Sequence, residues 1–378
     1  MVTGPTQSLH RMTEKIVRKA NLLRYSLRAS RRYRQPLLAT LQRAWRLYRE
    51  RRFLAEEAFA AGLLELACDP ELLSHAVSRR SQAQVQKRIN PASWSPLLAD
   101  KGMFYRFCET QGIPIPDLYA IYFRKTPGYC RQGTPLYDSP QWAQFITASL
   151  PSEFVVKPCD SYRGAGVIGF TRAAPDQFLG SDGVAVTSRQ IVDSLRHSRE
   201  AENFVIQQRL RSHHTLTDLS QNANLQTLRI TTFIDRTMKC HVLFSHLKLM
   251  TVNGVFTDNI GDGRSGNLTN VICLETGRIA KSLLKAPDGA GNQAISHHPV
   301  THRELIGFPI PCWREACDLA RRVAYAFLPV RSVGWDVAVT DDGVRILEGN
   351  IWWDRRHYAG DYLATLLSDL DGSPMART

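Results

Sequence analysis

The sequence predicts an α+β protein preceded by a basic helical region. Two observations carry this. Strand-like and helix-like segments follow one another without the regular βαβ alternation of a doubly wound sheet. Positive charge is also concentrated at one end: residues 1–60 hold fourteen Lys/Arg against four Asp/Glu, most of the net +13 of the 378-residue chain. The body is close to neutral, and 43% hydrophobic with 22% charged residues is the composition of a folded globular protein. No run of about 18 apolar residues exists, which argues against a membrane-spanning helix. The first residues lack the apolar core of a secretory signal. Eight cysteines without any C-x-x-C spacing point to reduced thiols and a cytoplasmic protein rather than a disulfide framework.

Residues 1–88 read as a helical arm, with helices over 12–30 and 36–68 and Pro36 as punctuation. Leu38, Leu41, Trp45 and Tyr48 recur at spacings of three, four and three, which is one helical face. That face is expected to pack on the body. An anionic membrane surface or an acidic protein partner is the alternative for residues 1–60. Nucleic acid is the least favoured partner, because no base-stacking pattern or DNA-reading motif accompanies the charge.

From residue 89 the character changes. A loop with Pro91 and Pro96 leads to a helix from near Leu98 that ends at Gly112. "LYAIY" is a short strand, and residues 128–140 form a Gly/Pro-rich loop. Strand, glycine loop, strand, helix and strand follow in "FVVKP", "CDSYRGAG", "VIGF", a helix around 188–199, and "NFVIQQRL". Two further strands and a turn-rich stretch lead to the helix "WREACDLARRVAYAFL". The chain then reaches a hairpin, "SVGWDVAVTDDGVRILEGN".

That hairpin holds three oxygen-bearing side chains in a run that otherwise reads as core. Val333, Trp335, Val337 and Val339 alternate with Gly334, Asp336 and Ala338. Glu348 and Asn350 are expected to share a face with Val344 and Ile346. A two-residue Asp342-Gly343 loop sets Asp336 opposite Gly349. A three-residue loop from Asp341 to Gly343, a common type with glycine in the left-handed region, sets Asp336 opposite Glu348. In the second register two carboxylates and an amide cluster, with directly opposed Cβ atoms about 5 Å apart. Carboxylates that close need a cation, a shared proton or basic partners. An oxygen-only set suits Mg2+ or Mn2+, and magnesium commonly completes its shell with phosphate oxygens.

"FVVKPCDSYRGAGVIGF" supplies phosphate-binding candidates. Lys157 ends a β-branched strand, and Gly164 and Gly166 let backbone N–H groups approach phosphate oxygens closely. Ser161 and Arg163 add donors. It is not a Walker A loop, because no G-K-[ST] is present and a strand follows. Lys101 starts a helix in "ADKGMFYRF".

The order lysine-helix-"GIPIP", "FVVKP" with its glycine loop, "FVIQQRL" and "GWDVAV…RILEGN" resembles the ATP-grasp superfamily. "INPASWSPLLADKGMFY", "TDNIGDGRSGN", "CLETGRI", "HHPVTHRELIGFPIPCW" and "GWDVAVTDDGVRILEGNIWWD" look closest to its sugar-transfer-associated family, over about residues 88–358. The resemblance implies two α+β subdomains clasping ATP, with residues 89–378 as the ATP-grasp domain. Its lid would span about 151–212 and its metal-binding part about 213–365. It implies that Lys101 and Lys157 contact the phosphates, and that Ser161, Arg163, Gly164 and Gly166 form the lid loop. Gln207, Gln208 and Leu210 would lie near the adenine. Asp336, Glu348 and Asn350 would hold Mg2+, and Arg229 would stabilise charge on the transferring group. Two departures stand out. Gln207-Gln208 replace an acid that many relatives carry, and residues 259–266 only partly keep an expected glycine pair. The implied activity is an ATP-dependent ligase joining a small-molecule carboxylate to an amine or thiol through an acyl phosphate. The alternatives are a phosphotransferase on the same fold and a nucleotide-binding regulatory or assembly protein docking through its arm.

Overall fold

The computed structural model describes residues 5–161, 164–251, 256–259, 265–354 and 362–372, with side chains from residue 16 onward. The chain divides into two compact units. One gathers residues 1–89, 283–294 and 354–378, the other residues 90–282 and 295–353. All eight cysteines are free thiols. No helix among the described residues is long and apolar enough to cross a membrane.

The first unit is helical: α1 (Pro5–Arg32), α2 (Leu37–Arg51), α3 (Ala55–Ala60), α4 (Pro70–His75), α5 (Arg79–Ile89) and a C-terminal helix, Tyr362–Asp371. The single helix expected over 36–68 is broken. Arg52 takes a left-handed conformation (φ 62°), its N–H donates to the Tyr48 carbonyl and the Phe53 N–H donates to the Leu47 carbonyl, so α2 ends there. The turn drives Phe53 into a core with Ala29, Leu47, Phe59 and Leu64. Glu57 then accepts the N–H of Leu54 at 3.0 Å and of Arg79 at 3.0 Å, so one carboxylate serves the starts of α3 and α5. The face expected to pack inward on α2 is also reversed. Leu38 and Trp45 are exposed, while Thr40, Ala44 and Leu47 are buried.

The second unit holds one whole sheet and five strands of another, whose two remaining strands fall partly within residues 283–294. The first has eight strands: β1 (Leu118–Phe123), β2 (Gly128–Cys130), β3 (Pro135–Leu136), β4 (Glu153–Pro158), β5 (Ile168–Ala174), β6 (Gln177–Gly180), β7 (Ala185–Val186) and β8 (Asn203–Gln208). Their order is β3-β2-β1-β8-β4-β5-β6-β7. Side-chain alternation splits β4 and β8 cleanly. Phe154, Val156, Phe204 and Ile206 join a core closed by α8 (Ser139–Ala148) and α9 (Ser188–His197), whose Trp142, Ile146, Ile191 and Leu195 complete it. The opposite face carries Val155 and Lys157, paired in register with Gln207 and Val205. Between the arm and β1 lie two helices, α6 (Ser95–Ala99) and α7 (Lys101–Thr110), where the sequence suggested one. Asp100 separates them by capping α7, accepting the Met103 N–H at 2.8 Å.

The second sheet has β9 (Thr227–Ile234), β10 (Cys240–Leu249), β11 (Leu268–Ile272), β12 (Ile279–Lys285), β13 (Asn292–Ile295), β14 (Ser332–Thr340) and β15 (Gly343–Asn350), in the order β13-β12-β11-β10-β9-β14-β15. A short helix, α10 (His214–Ser220), precedes β9, and α11 (Trp313–Ala326) packs on β9, β10, β14 and β15. Trp335, Val337 and Val339 lie on the buried apolar face, and the Trp335 indole N–H donates to Thr232 Oγ1 at 2.9 Å. The β14–β15 turn is tied down by Asp341, which takes the His214 backbone N–H at 3.0 Å and its ring Nδ1 at 2.7 Å.

Asn90 explains why "INP" precedes these elements. It is 1% exposed. Its amide nitrogen donates to the carbonyls of Ser332 and Ile351, and its oxygen accepts the N–H groups of Arg331 and Ser332. Replacing it strands four backbone groups in a buried place. Asn90→Ala is expected to lower the unfolding free energy by about 2–4 kcal/mol, read from chemical denaturation; a change within experimental error would show these bonds to be dispensable.

Candidate active site

The hairpin builds the site, by a route the sequence did not suggest. Thr340 pairs with Gly343, so the turn is the two-residue Asp341-Asp342 rather than a three-residue loop. That pairing continues to Val337 opposite Ile346. The register then shifts by one, and Asp336 faces Glu348 with Gly334 facing Asn350. Leu347 is the extra residue of a bulge. Bulging falls to β15 because it is the edge strand, whereas β14 is held by an unbroken register with β9 from Ser332 to Ala338.

The bulge corrects the expectation that Glu348 and Asn350 share a face with Val344 and Ile346. It places Val344 and Ile346 beside Val339 and Val337, and Glu348 and Asn350 beside Asp336 and Gly334. The displaced Leu347 carbonyl accepts the buried Tyr105 hydroxyl at 2.9 Å.

Asp336 sits at the centre and is 4% exposed. Arg229, directly opposite on β9, grips both carboxylate oxygens, Nε to Oδ1 at 2.5 Å and Nη2 to Oδ2 at 3.0 Å. Lys248 Nζ reaches Oδ2 at 3.1 Å. Burial alone would raise the Asp336 pKa, but Arg229 and Lys248 outweigh it and hold the carboxyl well below its ordinary range. Gly334 makes room for this grip, since a Cβ there would stand 3.3 Å from Arg229 Cδ and 2.9 Å from Trp353 Cβ.

Glu348 lies beside it, with the Asn350 amide nitrogen at 3.3 Å from Oε1 and Lys101 Nζ at 3.9 Å from Oε2. Lys101 is placed from two directions. Its backbone N–H donates to the Cys159 carbonyl at 2.8 Å, and its ammonium to the Ser161 carbonyl at 3.0 Å. Lys157 projects from the coreless face of the first sheet into the same field. Burial pulls its pKa down to about 8; Glu348 opposes the shift and Lys101 adds to it.

Gly164 and Gly166 both adopt positive φ, near 70°, as a tight glycine loop requires. A Cβ on Gly166 would stand 2.8 Å from Pro158 Cγ. Ser161 Oγ is buried and has no hydrogen-bond partner among the described residues. Arg163 lies outside the described residues, as does the glycine-rich stretch from 260 to 264. Gln207 is 2% exposed and shares the Lys157 face. Gln208 does not: it alternates to the Phe154 side, and its Oε1 accepts the Asp117 N–H at 3.2 Å. Leu210 follows β8, half-buried.

Two members were not singled out from sequence. Lys248 stands between the buried Leu247 and Leu249 as the one lysine of β10, and a lysine at such a position was the available signal. Asp258 accepts the Thr227 N–H at 2.8 Å and its hydroxyl at 2.5 Å, with Lys248 Nζ at 3.9 Å. Burial raises its pKa, and Lys248 opposes the rise. The cluster therefore sets Lys101, Lys157, Lys248 and Arg229 among three carboxylates. Such a set can neutralise phosphates while offering an oxygen-only corner to a divalent cation.

The sugar-transfer associated ATP-grasp family model matches residues 80–356. No curated protein matches the chain. Among solved structures, the N5-carboxyaminoimidazole ribonucleotide synthetase from Thermotoga maritima is 12% identical, with 76% of this chain and 53% of that one covered and a TM-score of 0.37. The L-amino acid ligase from Bacillus licheniformis is 11% identical, with 68% and 40% covered and a TM-score of 0.36. The D-alanine–D-alanine ligase from Bacillus anthracis is 11% identical, with 68% and 57% covered and a TM-score of 0.33. This chain spans about half the length of those proteins. Likeness at this level assigns no role to any residue here.

Gly349 tests the bulge geometry. A Cβ there would lie 2.7 Å from the Trp335 ring and 2.5 Å from Leu98 Cδ2. Gly349→Ala is expected to destabilise by about 1–3 kcal/mol in chemical denaturation. Unchanged stability would mean that Gly349 does not face Trp335 and that the bulge is misplaced.

Proposed function

The chain belongs to the sugar-transfer-associated ATP-grasp family, and from that premise we propose that it is an ATP- and Mg2+-dependent ligase. It joins a small-molecule carboxylate to an amine, or to a thiol, through an acyl phosphate. The observation that carries this reading is the meeting of Lys101 with Glu348 at 3.9 Å, beside Asp336 and Lys157. Cations from one sheet and its flanking helix thereby share a field with carboxylates from the other.

In this reading the ATP-grasp domain runs over 89–378, with a lid at about 151–212 and a metal-binding part at about 213–365. Lys101 and Lys157 hold the phosphates, and the Ser161 to Gly166 loop covers them. Gln207 rather than Gln208 faces the nucleotide, with Leu210 at its edge. Asp336, Glu348 and Asn350 would hold Mg2+, or Mn2+, through carboxylate and amide oxygens, and the ion would supply positive charge against the phosphates. Arg229, already oriented by Asp336, stabilises the oxyanion of the adduct formed when the acceptor attacks the acyl phosphate. Water kept out by the glycine loop protects that mixed anhydride. The need for ATP suits a cytoplasmic setting.

Purified protein with Mg2+ is expected to form ADP only when pooled carboxylates and pooled amines are both present. Asp336→Ala and Glu348→Ala should each cost about 10²-fold or more in rate. Turnover with the carboxylate pool alone would establish a phosphotransferase instead, and loss of all Mg2+-dependent ATP binding by the unmodified protein would end the site assignment.

A second expectation concerns pH. Lys157 in the free protein loses its proton as pH rises through about 8. The lost positive charge weakens phosphate binding, so ATP affinity should fall above that pH. Lys157→Met should bind more weakly throughout and show no such fall; a wild-type affinity flat across this range would remove Lys157 from the phosphate site.

A further inference from the structure

The arm's charge divides into two sets. Residues 16–52 carry twelve basic residues and one acid, Glu50. Several of these cations are structural. Arg18 donates to the Tyr48 hydroxyl at 2.6 Å, Arg28 to the Asp288 carbonyl at 2.9 Å, and Arg43 to the Leu63 carbonyl at 2.5 Å. Arg32 pairs with Asp288 at 3.2 Å. Lys19, Arg31, Arg34 and Arg46 make no hydrogen bond or ion pair with the described residues, and Lys19, Arg31, Arg34 and Arg46 are all exposed.

Apolar side chains stand between the free cations, facing out. On α1, Leu22, Tyr25 and Ala29 turn toward the helical core. Ile16 is 59% exposed and Leu23 54% exposed. Ala20 is exposed and Leu27 half-buried. Positions 16, 20, 23 and 27 fall within an arc of about 60° on a helix with 3.6 residues per turn. Lys19 lies on one flank of the stripe and Arg24 and Arg31 on the other. On α2, Leu38 is 69% and Trp45 51% exposed, two turns apart on one side, and the Arg49 guanidinium lies 4.8 Å from the Trp45 ring centre.

From this we propose that the outward faces of α1 and α2 form a docking surface for an anionic lipid bilayer. The occupant follows from the chemistry. Unpaired cations bordering an exposed Leu/Ile/Trp stripe complement a surface with negative headgroups outside and hydrocarbon beneath. An acidic protein would satisfy the cations but leave the stripe wet, and a second copy of the chain would cover the stripe but bring like charges together. Trp45, with an arginine stacked on its face, has the amphipathic character favoured at a bilayer's headgroup level. The inference does not rest on the ligase reading.

The test is co-sedimentation of the full chain with phosphatidylcholine vesicles containing about 30% phosphatidylglycerol, beside pure phosphatidylcholine vesicles. Binding to the anionic vesicles alone is expected. Leu23→Glu and Trp45→Glu, both at exposed positions, should each weaken it by about tenfold or more while thermal unfolding stays unchanged. Arg31→Glu should weaken it as well, and Leu38→Glu serves if either apolar variant misfolds. Three results would overturn the proposal. They are no sedimentation with anionic vesicles, sedimentation indifferent to the apolar substitutions, and a concentration-dependent dimer, dissolved by Leu23→Glu, in place of vesicle binding.

Discussion

The carboxylate of Asp336, buried between Arg229 and Lys248, is the interaction around which the second unit is arranged. A lone charge in the middle of a sheet is prohibitive, and two cationic partners make it tenable. They come from β9 and β10, so the carboxylate ties β14 to a hairpin that lies far earlier in the chain. Gly334 is small so that Arg229 can lie flat across β14. Lys248 also neighbours Asp258, whose Oδ2 accepts the first amide and hydroxyl of β9. Removing the charge would leave two cations facing each other in a dry place.

The hairpin was legible in large part. Alternation placed Asp336 on the face away from Trp335, and the sequence offered its pairing with Glu348 as one of two registers. That pairing is present, but its cause is different. Turn chemistry suggested a left-handed glycine in a longer loop, and the structure instead puts the irregularity at Leu347. A bulge leaves almost no local signature, because it is selected by neighbours distant in sequence. Here they are Tyr105, whose hydroxyl donates to the freed Leu347 carbonyl, and Pro114, whose carbonyl accepts the Ile346 N–H.

Other parts were harder to read for equally specific reasons. Lys248 and Asp258 lie 88 and 78 residues before Asp336, and nothing local marks them as its neighbours. Gln207 and Gln208 looked equivalent in "VIQQRL", but strand alternation sends them to opposite faces. On α2 the apolar period was real and its direction was not. Small residues, Thr40 and Ala44, go inward, Ala44 into the core that also holds Ala29 of α1, and the larger Leu38 and Trp45 stay outside. Periodicity tells which residues share a face. It does not tell which face is covered.

The bulge at Leu347 has a consequence of parity. Paired residues in a regular antiparallel hairpin with a two-residue turn are separated by odd numbers of positions. Asp336 and Glu348 are twelve apart, an even number, so one unpaired residue must be absorbed somewhere between them. Most simply it would enlarge the turn. This chain absorbs it in the edge strand, and the turn stays as tight as a hairpin permits. Asp341 is thereby released from supporting a longer loop and can bind both the backbone and the ring of His214, fastening the start of α10 to the hairpin tip. Where the odd residue is stored thus decides what the turn is free to hold.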